Sequence, residues 1–82
     1  MKCPPPVYPM IALRLKREGT VVLRVLIDES GRVIQIIVVA GVEQLTGAAV
    51  AAVSKWTYRP ALRQGEPIRA WREVPIRFDL PR

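Results

Sequence analysis

Ile68-Arg69-Ala70-Trp71-Arg72-Glu73-Val74-Pro75-Ile76-Arg77-Phe78-Asp79-Leu80 alternates along its length. Ile68, Ala70, Val74, Ile76, Phe78 and Leu80 fall on one face, and Arg69, Trp71, Glu73, Arg77 and Asp79 on the other. Such a period of two predicts a strand with one buried face. Pro75 lies inside it and has no N–H for a ladder, so the strand belongs at a sheet edge or carries a bulge. Backbone groups of alternate residues point to the same side. Those of Trp71, Glu73, Arg77 and Asp79 therefore share a side with the N–H that Pro75 lacks. Leaving that side open loses no internal bond, and an open side is a template another chain can join. The plainer expectation for the same residues is an edge strand blunted by proline and charge.

Upstream, Thr20–Asp28 and Val33–Ala40 alternate in the same way. Val21, Leu23, Val25 and Ile27 share one face of the first strand. The even residues Ile34, Ile36, Val38 and Ala40 of the second are all apolar. A four-residue loop, Glu29-Ser30-Gly31-Arg32, pairs Asp28 with Val33 and sets the two apolar rows on one face, with Gly31 free to take positive φ. On the opposite face Val22, Leu26, Val33, Ile37 and Val39 are interrupted only by Arg24 and Gln35. A sheet apolar on both sides normally has both covered. Two short helices cover one, so a second copy, a swapped strand or a further segment is expected on the other.

The helices flank this hairpin. Tyr8-Pro9 opens the first, Pro9 being preorganised for an N-terminus, and Met10, Ile11, Ala12, Leu13 and Leu15 form its apolar stripe. Lys16 and Arg17 suit its C-terminus, Gly19 is the expected stop, and Tyr8 is expected to pack back on the helix as a staple. Val42–Trp56 reads as the second helix, with Leu45, Ala49, Ala52, Val53 and Trp56 on one face. Gly47 weakens it, small alanines allow close approach to the sheet, and Arg59-Pro60 ends it. Gln64-Gly65-Glu66-Pro67 is a loop into the final strand. The order helix-strand-strand-helix-strand predicts an α+β fold, two helices on a three-stranded antiparallel sheet. A strand–helix–strand crossover makes the last strand parallel to the second and neighbour to the first, order 2-1-3. Ahead of this domain, residues 8–82, the run Cys3-Pro4-Pro5-Pro6-Val7 reads as the end of a Pro-rich linker over residues 1–7.

The totals narrow the function. At 82 residues the chain is one domain, able to bury only roughly 60% of its unfolded surface. Its formal charge of +6 comes from arginines spread over every element. They are not clustered with stacking aromatics, so a solvated basic surface is expected and no nucleic-acid partner. The chain has no histidine, and its carboxylates are scattered apart from Asp28-Glu29 at a turn. No acid–base pair, zinc set or phosphate-binding glycine loop can be assembled. Neither an enzyme, a cofactor nor a metal site is expected, and lone Cys3 is assigned no chemistry. No apolar run reaches a membrane span and no signal peptide is visible. A binding module remains.

Tyr8-Pro9 with Ala12, Gly19-Thr20-Val21, Asp28 with Gly31-Arg32-Val33, Ala48-Ala49, Trp56-Thr57-Tyr58-Arg59-Pro60-Ala61, Gly65-Glu66-Pro67-Ile68 and Val74-Pro75-Ile76-Arg77-Phe78 follow one another at characteristic spacings. Over residues 8–80 this series resembles the C-terminal domain of TonB-type energy transducers. Arg72 and Glu73 depart from more apolar choices, and Gly47 is a looser helix residue. The resemblance implies a periplasmic domain of an inner-membrane-anchored protein. Upstream it implies a transmembrane helix engaging an ExbB–ExbD-like motor and a Pro-rich spacer. Its implied partners are TonB-dependent outer-membrane transporters for siderophores, cobalamin or other scarce nutrients, through their N-terminal TonB-box peptide. Intertwined dimers of isolated fragments are implied as well. Arg69, Trp71, Glu73, Pro75, Arg77, Asp79 and Arg59 are then the expected partner-binding residues. A TolA-like or other envelope interaction domain is the nearest alternative, and a small basic nucleic-acid-binding domain one from another class.

Overall fold

The structure, a computed structural model, describes residues 2–81. Its elements are α1 (Met10–Arg14), β1 (Gly19–Ile27), β2 (Val33–Ala40), α2 (Glu43–Val53), β3 (Ala61–Arg63), β4 (Glu66–Ile68) and β5 (Ala70–Phe78). β2, β1 and β5 form one antiparallel sheet in that order, and β3 and β4 a separate hairpin. The expected α+β architecture and the order 2-1-3 are therefore present, with the hairpin added.

β1 is the centre because it is apolar on the odd face along its whole length. Val21, Leu23 and Val25 are fully buried, against Val74, Ile76 and Phe78 of β5 and against Ala12, Leu45, Ala49, Val53 and Tyr58. Leu45, Ala49 and Val53 recur at helical spacing and bring one face of α2 onto the sheet. Burying a side chain the size of Leu23 or Leu45 stabilises by about 1.5–3 kcal/mol. The layer between α2 and the sheet, closed by Val74, Ile76 and Phe78 of β5 and by Ala12 and Tyr58, is the domain's core.

The β1–β2 connection differs from the four-residue loop. The Asp28 N–H donates to the Arg32 carbonyl at 2.9 Å and the Gly31 N–H to the Asp28 carbonyl at 3.0 Å. Asp28 is thus paired with Arg32, and Ile27 with Val33. The cause is local chemistry. Asp28 Oδ1 accepts from the Ser30 N–H, the Ser30 hydroxyl and the Arg32 N–H, and Gly31 takes φ +89°, the left-handed residue that closes a three-residue loop. A shorter loop would push the apolar row of β2 off the core. Register shifts at each end of the ladder absorb the mismatch, so Val25 still faces Ile36 and Leu23 still faces Val38. Ile34 and Ala40 leave the expected row: Val33 replaces Ile34 opposite Ile27, and Ala40 moves opposite Val22.

α1 ends before Gly19. Lys16 takes φ 54°, while the Arg17 N–H reaches the Ala12 carbonyl at 2.9 Å and the Lys16 N–H the Leu13 carbonyl at 3.2 Å. This is a Schellman ending with lysine in the place glycine favours. Gly19 instead opens β1. Tyr8 does not staple α1 alone. Its ring meets Phe78 edge-on at 5.5 Å and its hydroxyl donates to the Arg17 carbonyl, tying the helix ends to β5.

The stretch from Ala61 to Leu80 is not one loop and one strand. Gln64 and Gly65 take φ 52° and 79° between paired Arg63 and Glu66, a two-residue hairpin turn with both central residues left-handed. The β3–β4 hairpin is exposed except at Ile68, and the chain breaks at Arg69 before β5. The molecule measures 48 × 21 × 17 Å with a radius of gyration of 14.1 Å, above the roughly 12 Å of a compact chain of this length.

Candidate partner-binding edge

β5 pairs with β1 without a shift from Gly19–Phe78 to Ile27–Ala70, and Pro75 sits opposite Val22 inside that ladder. An antiparallel ladder alternates pairs that exchange both hydrogen bonds with pairs that exchange none. Asp28 is bonded toward β2, so by alternation the even residues of β1 direct their backbone groups to β2 and the odd ones to β5. Val21, Leu23, Val25 and Ile27 thus bond Ile76, Val74, Arg72 and Ala70, while Val22–Pro75 is a pair without bonds. Pro75 fits the register for that reason. The backbone groups of Trp71, Glu73 and Arg77, and the Pro75 carbonyl, point away from β1 along the outer margin of the sheet. No strand lies beyond β5 among the described residues.

The side chains of these odd residues stand on the sheet face turned away from α2. Trp71 is opposite Leu26, Glu73 opposite Arg24, Pro75 opposite Val22 and Arg77 opposite Thr20. Trp71 is 46% exposed and Ile37, beside Arg24 on β2, 42%. With half-buried Val22 and Leu26 they make an apolar face that nothing within the described chain covers.

The charged residues expected at the site are placed unevenly. Arg77 Nε donates to Asp79 Oδ1 at 2.9 Å. Arg69, in the break before β5, lies 3.6 Å from Glu29 at the tip of the β1–β2 turn. Both pairs are more than half exposed and contribute little to stability. Arg59 is exposed at the base of the β3–β4 hairpin, off β5. Beyond Phe78 the chain is held by the Leu80 N–H, which donates to Glu18 Oε1 at 2.8 Å.

Two features of the edge are not evident from alternation alone. Arg72 is an even residue, on the covered side with Val74, and its guanidinium lies 5.1 Å over the ring of Tyr58. Burial pushes the Tyr58 phenol above its ordinary 10.0, so the ring is neutral and offers its face to the cation. Tyr58 is in turn fixed by its N–H to the Gly31 carbonyl at 2.8 Å. The other feature is the β3–β4 hairpin, which brings Arg63 and Leu62 out on the same chain that feeds β5; Gln64-Gly65 was the available signal. Among the described residues no group of His, Cys, Asp and Glu gathers as metal ligands, and no helix is long and apolar enough to cross a membrane.

Residues 4–80 match the family model of the Gram-negative bacterial TonB protein C-terminal domain. The chain belongs to this family. It is 44% identical over 79 residues to protein TonB2 of Pseudomonas aeruginosa, covering 94% of this chain and 29% of that protein. It is 35% identical over 77 residues to protein TonB of Vibrio cholerae, covering 92% of this chain and 32% of that protein. The chain thus spans about a third of the length of these relatives. The family match begins at Pro4, inside the proline run.

Proposed function

We propose that this TonB C-terminal domain captures an extended peptide on the outer margin of β5 by strand addition. The peptide is the N-terminal TonB box of outer-membrane transporters, and the domain hands on force from a proton-driven, ExbB–ExbD-like motor during import of siderophores, cobalamin or similar nutrients. It works in the periplasm as part of an inner-membrane-anchored protein. The observation that carries this reading is the straight register between β5 and β1, which leaves a backbone row unpaired on a strand whose proline faces the same way. Membership of the TonB C-terminal family supports the transport role.

Strand addition draws affinity from main-chain bonds and tolerates many side chains, as a transducer serving several transporters requires. Each bond contributes about 1 kcal/mol net, so a handful give a reversible grip. Tension along the peptide axis loads the bonds together. β5 is held to β1 along its full length, from Ala70 to Phe78, a longer ladder than a short peptide makes. The peptide therefore lets go before the domain unravels. Arg69, Trp71, Arg77 and Arg59 flank the peptide, and the arginines suit acidic residues on a transporter.

The test is an NMR titration with a panel of transporter N-terminal peptides. Amides of Trp71, Glu73 and Arg77 shift and become protected from exchange, and those of Ala70, Arg72 and Val74 keep their existing protection. Shifts confined to the β3–β4 hairpin or to the outer margin of β2 overturn the proposal.

A further inference from the structure

The segment ahead of Tyr8 is docked on the domain. The Thr57 N–H donates to the Lys2 carbonyl at 2.9 Å, the Lys2 N–H donates to Thr57 Oγ1 at 2.9 Å, and the Trp56 indole N–H donates to the Pro4 carbonyl at 2.7 Å. Thr57 also bridges to Arg32 at the start of β2. Beyond Pro4 the chain arches over α2. A cleft of about 300 Å³ separates Pro4, Pro5, Pro6 and Val7 from Ala48, Ala51, Ala52 and Lys55, and Val7 is 82% exposed. The segment is thus held by hydrogen bonds at Lys2 and Pro4, and of its residues from Pro4 to Val7 Pro6 alone is half-buried, the others exposed.

Its backbone is suited to that. Prolines fix φ near −65°, residues before proline are pushed to extended conformations, and the result is a polyproline II strand whose carbonyls have no internal partners. Pro9, at φ −65° and ψ 140°, continues it, so the run includes the spacing Pro6-x-x-Pro9. Domains that recognise polyproline II segments use an aromatic groove and exploit the low entropy of a preformed ligand. Half-buried Trp56, 6.3 Å from the buried ring of Tyr58, supplies one aromatic ring and the indole donor of such a surface.

We propose that the Trp56–Thr57 end of α2 is a recognition site for polyproline II segments. Its resident ligand is the chain's own run from Lys2 to Val7, bound reversibly as a latch. Few bonds and little apolar burial set against the entropy of ordering the segment make it open more readily than the sheet. Through Thr57 and Arg32 its closure is felt at the first residues of β2, at the opposite edge from β5. The inference does not depend on peptide capture at β5, and its reporters, Trp56 and Thr57, are separate from that margin.

The test uses the full chain and NMR hydrogen exchange. Replacing Pro4, Pro5 and Pro6 together by glycine loosens the ligand while leaving every donor in place. The Thr57 amide and the Trp56 indole N–H then exchange about ten-fold faster or more, and the Leu23 and Val74 amides keep their protection. Adding a peptide with the sequence of residues 2–8, serine replacing cysteine, restores the Trp56 and Thr57 signals in that variant. The same peptide with its prolines replaced by glycine does not. Thr57→Val, which removes the hydroxyl acceptor, gives a weaker release and guards against misfolding of the triple variant. Unchanged exchange at Trp56 and Thr57 in both variants, or restoration by the glycine peptide, overturns the proposal, as does failure of the proline peptide to restore the signals.

Discussion

A second proline on β5 separates the two margins of that strand. Glu73 directs its N–H outward, whereas Val74 directs its own to Leu23 on β1. Glu73→Pro removes one outward donor and puts a ring where the incoming strand must lie. The peptide loses one bond, about 1 kcal/mol, and one of its carbonyls is left unpaired in the joint, a further 1–3 kcal/mol or so. Together that is roughly 2–4 kcal/mol, or a dissociation constant ~30-fold to ~700-fold weaker. The fold loses only a water contact, because Arg72 is already extended as a residue before proline must be, and the melting temperature falls by less than about 5 °C. Val74→Pro instead breaks a ladder bond and orphans a carbonyl of β1, about 3 kcal/mol or more. A domain of this size has about 4–12 kcal/mol in total, so that variant loses a quarter or more of its stability and melts at least about 12 °C lower. Glu73→Ala controls for the side chain and binds within about two-fold of the parent, since its N–H is intact. Calorimetric titration of a transporter N-terminal peptide, with thermal melts alongside, reads all three. Parental affinity in a folded Glu73→Pro protein would refute the reasoning, and so would a Val74→Pro protein as stable as the parent.

Other consequences are independent of the peptide. Gly31→Ala would drive its Cβ into the Tyr58 carbonyl at φ +89°; a loss of at least about 3 kcal/mol is expected, seen as a melting temperature lower by at least about 12 °C. Lys16→Gly relieves a left-handed lysine and raises stability by about 1 kcal/mol, or roughly 5 °C in melting temperature. Three hydrogen bonds, the Arg32 amide first among them, hold the Asp28 carboxyl below its ordinary 3.8. The sign follows: the folded value is depressed, so its stabilisation is full above the unfolded value and is lost as pH falls through the folded one. Melting temperature should drop on acidification below about pH 4, and Asp28→Asn should start lower and flatten that part of the profile. An Asp28→Asn profile parallel to the parent would assign the acid sensitivity to other carboxylates.

What could be seen in the sequence was whatever periodicity controls. Val21, Leu23, Val25 and Ile27 are buried on the face their alternation assigns, and Leu45, Ala49 and Val53 on the expected stripe of α2. Sheet order followed from connection handedness, and Pro75 stands at an edge. Periodicity does not register a single inserted residue. Pairing Asp28 with Val33 was the tidy solution, but the side-chain oxygen of Asp28 competes for the Ser30 and Arg32 amides and shortens the loop, and the ladder absorbs the difference at Ile34. Likewise Gly19 looked like the end of α1 because glycine is usual there. Lys16 shows that three bonds in the last turn can force a lysine into that conformation. The docking of Pro4 on Trp56 had no periodic signature, since a polyproline strand and a free tail have the same composition.

The two outer margins of the sheet are protected by different means, and the difference bears on which one accepts a partner. β2 carries no charge and no proline from Val33 to Ala40, yet its straight pairing with β1 runs only from Leu23–Val38 to Leu26–Gln35 before the register shifts at either end. Such irregularities bend a strand and increase its twist, and Thr57 already bridges its start. A visiting strand would find few evenly spaced groups there. β5 is straight along its length and is guarded chemically, by Pro75 and by Glu73 and Arg77 on either side of it. A second copy paired about Pro75 would set two imino nitrogens opposite each other and forfeit both bonds at that point. A flexible peptide can shift by two residues and keep the bonds at Trp71 and Glu73. The same proline that discourages pairing between copies thus leaves the margin usable by a shorter partner, which is what a shared, reversible docking edge requires.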